Sequence, residues 1–308
     1  MISPLLLLLQ LLNGLQFGLM LFLFAAGLTL VLGIMNLINL AHGSLYMLGA
    51  FFAASLYAWT GSFLLAVPAA LLASFLAGIV VERTVLGRLY GREHLDQVLA
   101  TFGLILFLDE AARIIWGNAP LNIPLPEALT GRLVLLPGVT YPTYRAALIL
   151  LGLLVALLLY LVVTRTRLGM LIRAGASNRE MVEALGVDIR LLFTLVFGLG
   201  AALAGRAGMA VGPLLQVDSN MGDPVLILAL VIIVIGGIGS IRGSFVAAIL
   251  VGIVDTMGRA FLPGLLLGLL PRTLANAAGP VIASMLIYLV MAAILLLRPG
   301  GLFAGRTG

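Results

Sequence analysis

The sequence predicts an all-α polytopic membrane protein, a bundle of about 8–10 transmembrane helices with interrupted or re-entrant segments. Three observations carry that expectation. The 308 residues are 62% hydrophobic and only 9% charged, with a mean hydropathy of +1.22. That is more apolar side chain than a soluble core of this length needs. The apolar residues fall in runs of about 20, the length that crosses the hydrocarbon core of a bilayer. Those runs are apolar on every face, as in Leu151–Val163, whereas the strands of a membrane β-barrel would alternate polar and apolar residues. Residues 1–308 read as a single transmembrane domain.

The first run, Leu5–Ile34, exceeds one upright span, and Asn13, Gly14 and Gln16 interrupt it, which predicts a tilted or surface-lying start. The opening residues lack a basic n-region and so read as part of the mature chain rather than as a cleaved signal. Asn36–Ser44 is a polar break bounded by Gly33 and Gly43, and Ser44–Trp59 is marginal for a full crossing. Ser62–Val81 is a clear span that runs into Arg83, Arg88 and Arg92, the mark of a cytoplasmic loop. Val98–Trp116 then crosses outward. The outer loop 117–144 carries Pro120, Pro124, Pro126, Pro137 and Pro142, each fixing φ, so it should be ordered.

Tyr144–Val163 returns to the longest polar interval, 164–190, whose arginines place it in the cytoplasm. Leu191–Val211, Val225–Ile235, Ser244–Leu262 and Val281–Leu297 are the remaining apolar runs, the last two joined by a Gly/Pro-interrupted connector. Counted back from a basic, inside tail, the order gives about nine crossings and an outside N-terminus.

Composition excludes several chemistries. The chain has no lysine, so it holds no P-loop of its own and no Schiff-base nucleophile. It has no cysteine, and His42 and His94 are the only histidines, so thiolate and HExxH metal sites are absent. No G-x-S-x-G elbow occurs. The net charge of +5 is modest and lies in loops, which suits a membrane face rather than nucleic acid.

The breaks at Asn36–Ser44 and Gly236–Gly243 fall one in each half of the chain. Transporters often place substrate where interrupted helices expose backbone groups. Asn36, Asn39 and His42, spaced i, i+3, i+6, would share one side of a helical path, and with Gly43 they are candidates for the substrate pathway. The alternative is ordinary cytoplasmic loops with turn chemistry. Gly236, Gly237 and Gly239 are pathway candidates too, although close helix packing accounts for them better. His42 has no acid near it in sequence, which favours a structural hydrogen bond over a proton relay. Asp109 with Arg113, and Asp255 with Arg259, are i, i+4 pairs in the favourable order. Mutual neutralisation near the interface is the simpler reading of both, and the lining of a polar path the sharper one. Arg206 has no such partner and is a candidate for a charge facing a cavity.

Several blocks taken together resemble the branched-chain amino acid ABC transporter permeases. Gly27–Ile34 followed by Asn36–Gly49 is similar to the opening of that family, most closely its high-affinity leucine/isoleucine/valine branch. Gly169, Arg173-Ala174, Asn178 and Ala184–Asp188 resemble its coupling loop, Gly236–Gly243 its glycine signature, and Arg298–Phe303 its ending. The resemblance implies a permease subunit of an ATP-driven importer. With a sister permease it would form the path for branched-chain or other hydrophobic amino acids across the bacterial inner membrane. Two cytoplasmic ATPase subunits would carry ATP and Mg2+, and a periplasmic or lipid-anchored binding protein would deliver substrate. This chain itself would hold no cofactor and no metal.

The resemblance also gives Arg173, Ala174, Asn178, Glu180, Glu183, Ala184, Leu185, Gly186 and Asp188 a role in coupling to the ATPase. Asn178–Leu185 can form a short helix bracketed by Gly175 and Gly186, with Glu180 and Glu183 near its favourable end. From its residues alone the interval reads as a solvated, lipid-attracting arginine cluster. Met221–Pro224 lacks the basic residue that relatives often carry there, which leaves a urea or short-amide permease of the same family as an alternative. A stand-alone secondary transporter would need a free acid at a cavity, and the membrane-embedded acids read as paired.

Overall fold

The computed structural model describes residues 4–303; Met1–Ser3 and the end of the basic tail, with Arg306, lie outside the described residues. In chain order the elements are α1 (Pro4–Met35), α2 (His42–Thr60), α3 (Phe63–Thr84), α4 (His94–Trp116), a hairpin of β1 (Arg132–Leu136) and β2 (Val139–Pro142), α5 (Thr143–Arg165), α6 (Arg167–Ser177), α7 (Arg179–Ala184), α8 (Ile189–Val211), α9 (Gly222–Gly236), α10 (Ile241–Leu266) and α11 (Arg272–Leu297). Six of the helices, α1, α3, α5, α8, α10 and α11, are long and apolar enough to cross a membrane. With α2, α4 and the apolar α9 they make a multi-pass, all-α membrane protein. The 15 residues of α9 rise about 22 Å, short of the ~30 Å hydrocarbon core, as an interrupted segment would.

The helices depart from the sequence reading in three places. Helix α1 is one unbroken helix of 32 residues. Its polar residues are satisfied sideways instead of breaking it: Asn13 donates to Gln10 and accepts from Arg145 Nη1 at 2.9 Å. The connector before the last span is also mostly helix, because α10 continues through Pro263 and α11 begins at Arg272 and includes Pro280. Prolines are tolerated in membrane helices where neighbours re-satisfy the freed backbone groups. The loop after α4 is ordered, as expected, and by pairing as well as by proline. It carries the β1–β2 hairpin, and Leu121 exchanges both backbone hydrogen bonds with Val217. Finally, 164–190 holds two short helices rather than one.

The chain forms two compact units. The first comprises residues 1–22, 126–154 and 230–308, and the second 23–125 and 155–229. Each is built on small residues that let backbones meet, the usual basis of helix packing in lipid. In the first unit Gly14 and Gly18, a G-x-x-x-G pair, lie against α10. A Cβ on Gly18 would sit 2.7 Å from the carbonyl oxygen of Ala248, and one on Gly252 would sit 2.4 Å from the amide of Gly18. Phe22 closes the seam edge-on to Phe245.

In the second unit α8 is the central helix. Gly205 faces Gly49 of α2, Gly208 faces the carbonyl of Tyr46, and Gly200 faces Gly27. On another side Gly78 of α3 meets Ala201. Trp116, at the end of α4, stacks on Phe51 and donates to Ser55 Oγ, tying α4 to α2.

The α2–α8 contact should be intolerant of a single methyl. A Cβ on Gly49 would lie 2.1 Å from the Cα of Gly205. Gly49→Ala is expected to cost on the order of 1–3 kcal/mol and to lower the midpoint of thermal unfolding in detergent by several degrees. Gly91→Ala, whose Cβ would meet nothing within 4 Å, should leave that midpoint in place.

Candidate functional site

The 164–190 interval is held by capping side chains at each helix start. Thr166 Oγ1 accepts from the amide of Gly169 at 3.1 Å, Asn178 Oδ1 from Met181 at 2.9 Å, and Asp188 Oδ1 from Leu191 at 3.0 Å. Each satisfies an amide that has no partner inside its helix. Asn178 and Asp188 therefore have a local structural role. The predicted helix is present as α7, with Glu180 in its first turn and Gly186 at φ +83°, where glycine carries no steric penalty. Gly175 lies within α6, which the sequence reading missed.

Helix α6 folds back on the end of α5. Gly169 leaves room for the carbonyls of Val162 and Val163, and the Arg173 guanidinium donates to the Val163 carbonyl. That places a cation on an unpaired carbonyl at a helix C-terminus, where the dipole favours it. Glu180, Glu183, Ala184, Leu185 and Gly186 are exposed, and Ala174 is half-buried.

A path of contacts leads from α7 into the packed helices. Arg179 lies 4.9 Å from the centroid of the Phe193 ring on α8, and Tyr90 meets the same ring edge-on. Tyr90 and Thr194 both donate to Glu82, the Thr194 bond at 2.7 Å. Glu82 ends α3 and is only 3% exposed. Burial, then the Glu82 carboxylate beside it, raises the Tyr90 hydroxyl well above the ordinary tyrosine range, so it remains a donor. These groups line a cavity of about 540 Å³ with Arg83, Arg88 and Arg190. Glu82, Tyr90, Phe193 and Thr194 were not singled out from sequence. The one signal for Glu82 was an acid at the end of an apolar span, directly before an arginine run.

The break after α1 spans residues 36–41 and is not helical, so Asn36, Asn39 and His42 do not share a helical side. Asn36 sits at φ 49° with its side chain exposed. Asn39 and His42 are buried, and Asn39 Oδ1 accepts from the amide of Ala41 at 3.1 Å. The Asn39 amide nitrogen and both His42 ring nitrogens lack a completed hydrogen bond, although the Phe24 carbonyl lies beside the imidazole. His42 instead packs its ring on Phe24, at 5.0 Å between centroids. The segment that meets this break is the start of α9: a Cβ on Gly43 would lie 2.9 Å from the carbonyl oxygen of Gly222. Two helix N-termini thus begin side by side.

Gly236, Gly237 and Gly239 form the α9–α10 turn. Gly236 packs on the backbone of Gly243, and Gly237 and Gly239 have φ of +98° and +77°. Ser240 Oγ caps α10 by accepting from Gly243. The tail closes the turn, with Leu302 and Phe303 donating to the carbonyls of Ile235 and Gly236 at 2.8 and 3.1 Å. Close packing accounts for Gly236, and the positive φ of the turn for Gly237 and Gly239.

The predicted Asp109–Arg113 pair is not formed. Arg113 pairs with Glu110 at 3.4 Å and donates to Ser219 and Asn220, while Asp109 accepts from Ser44 Oγ at 3.1 Å. The side chains one turn apart on α4 are drawn to different neighbours, α2 and the 212–221 segment. The Asp255–Arg259 pair is formed at 2.8 Å, and Ser284 accepts from Arg259 as well. Arg206 is half-buried, and its Nε has no hydrogen-bond partner among the described residues.

Removing the Asn178 cap should loosen α7 without moving α8. Asn178→Ala is expected to cost about 1 kcal/mol and to raise hydrogen exchange of the α7 amides about fivefold. Amides of α8 beyond Leu191 should be unaffected.

Over residues 10–297 the chain matches the family described as the branched-chain amino acid transport system / permease component. It is 34% identical to the high-affinity branched-chain amino acid transport system permease protein BraD of Pseudomonas aeruginosa, across 81% of this chain and 85% of that one. It is 29% identical to the corresponding LivH permease of Escherichia coli, across 82% and 86%. A probable LivH permease of Methanocaldococcus jannaschii is 24% identical across 92% and 88%. No solved structure matches the chain. With nearly its whole length matched and its blocks in the family's order, the chain belongs to the permease components of the branched-chain amino acid transport systems.

Proposed function

We propose that this chain is a permease subunit of an ATP-driven importer in the bacterial inner membrane. With a sister permease it forms the path for branched-chain amino acids, which a periplasmic or lipid-anchored protein delivers. The observation that carries the reading is the family match over residues 10–297. The lack of lysine, and so of a P-loop, agrees with it: nucleotide chemistry belongs to two partner ATPases, which hold ATP and Mg2+.

In this reading α6 and α7 lie at the cytoplasmic face, and an ATPase grips the exposed side of α7 through Glu180, Glu183 and Leu185. Motion of α7 reaches the membrane by the Arg179–Phe193–Tyr90–Glu82–Thr194 contacts. A firm connection matters, because coupling needs an element that shifts as a unit. The caps on Asn178 and Asp188 supply the firmness. Arg173 and Ala174 serve by holding α6 on α5. Asn39, His42, Gly43 and Arg206 remain pathway candidates, since polar groups at membrane depth are costly and usually functional. Asn36 and the Gly236–Gly239 turn act at a distance from substrate.

The test is uptake by proteoliposomes holding this chain with its sister permease, ATPases and binding protein. ATP-dependent import of leucine, isoleucine or valine is expected. Import of urea or short amides instead would favour the alternative within the family. Glu183→Ala and Gly186→Val should leave ATP hydrolysis running while leucine uptake falls at least tenfold. Uptake and hydrolysis that stay in the wild-type ratio would make the 164–190 interval passive.

A further inference from the structure

We infer that the cavity between α4 and the start of α9 is an amino-acid subsite of the permeation path, one that takes the free ammonium, carboxylate and aliphatic side chain of its substrate together. The inference rests on the proposed import of branched-chain amino acids. It adds where this chain meets the substrate.

The cavity has a volume of about 720 Å³ and lies wholly within the second unit. One wall is apolar: Phe102, Ile105 and Leu106 from α4, and Leu226 and Ile227 from α9. The other end is charged. Glu110 and Arg113 neutralise each other there. Asp109 and Asp223 form no ion pair: among the described residues neither has a basic group within 4 Å, Asp109 accepts from the Ser44 hydroxyl, and Arg113 acts on it only from beyond that distance. Asp109 lies seven residues before the end of α4, about 10 Å along the helix.

A carboxylate without an ion pair on a membrane helix is not left facing lipid, where a charge is costly. It faces an aqueous path and awaits a cation.

The chemistry of the cavity fits one ligand class. Asp109 and Asp223, flanking it, suit an ammonium. Arg113 uses three of its five N–H donors on Ser219, Glu110 and Asn220, which leaves donors for a carboxylate. The apolar wall takes a branched aliphatic side chain. A urea or short amide would bring no charge for Asp109 and Asp223 and would leave them unpaired. Close by, the first turns of α2 and α9 abut at Gly43 and Gly222.

The experiment uses the complete transporter in proteoliposomes, with its own binding protein and radiolabelled leucine and valine. Asp109→Asn and Asp223→Asn should each lower leucine uptake at least tenfold. Ile227→Trp, which fills the apolar wall, should do the same. Ile227→Ala enlarges the pocket and should shift the leucine-to-valine uptake ratio at least threefold toward leucine, which a general loss of stability would not do. Variants that assemble with the ATPases yet import leucine at the wild-type rate, with an unchanged ratio, would overturn the subsite. If Ile227→Trp or the Asn variants fail to assemble, the ratio measured with Ile227→Ala decides. A wild-type transporter that imports no branched-chain amino acid would sink the proposed function, and the subsite with it. Import by the wild type with indifferent variants sinks the subsite alone.

Discussion

Close backbone packing around α8 is the constraint on which the second unit depends. Gly49 and Gly205 are so near that no side chain fits between α2 and α8, and the Gly208–Tyr46 and Gly78–Ala201 contacts repeat the device. In lipid no hydrophobic effect presses helices together, so affinity comes from dispersion and close fit. A seam of this kind has few intermediate arrangements. Helices packed backbone to backbone move together or separate, and that suits a protein whose proposed work is to pass a displacement from one face of the membrane into its interior.

The polar groups are arranged around that seam. Asp188 caps the first turn of α8, and Phe193 and Thr194 in the following turn receive Arg179 and Glu82. The helix most rigidly packed in its unit is thus the one that carries the 164–190 interval on its end. Glu82 shows how a buried acid is accommodated there. Two hydroxyl donors, Tyr90 and Thr194, satisfy it without an ion pair, which avoids the poor balance of a buried salt bridge. Asp109 and Asp223 stand in the opposite condition, at a cavity and without an ion pair, and for that reason they are where a charged solute would be felt.

Much of this was legible in the chain. The class followed from composition, because a chain that is 62% hydrophobic leaves lipid as its solvent. The short helix α7 was readable from Asn178 and Gly186, a cap residue and a glycine stop at helical distance. Gly236 was readable as a packing glycine, whereas the positive φ of Gly237 and Gly239 belongs to the turn between two helices. The Asp255–Arg259 pair was readable too, since both partners lie on one face of one helix. The same rule failed for Asp109 and Arg113. Both have better partners on other elements, and spacing along α4 says nothing of Ser44 or Ser219.

The sequence by itself determined the solvent, the helices and the local caps, because these depend on the residues within a turn or two of one another. It also carried the family, since blocks in a fixed order survive without any knowledge of contacts. Only the tertiary structure decided which polar groups are spent and which are free. Asn13 is spent on Arg145 and Glu82 on Tyr90 and Thr194, whereas Asp109 and Asp223 form no ion pair among the described residues. Whether a charge is satisfied depends on groups scores of residues away, and only folding brings those within hydrogen-bond reach.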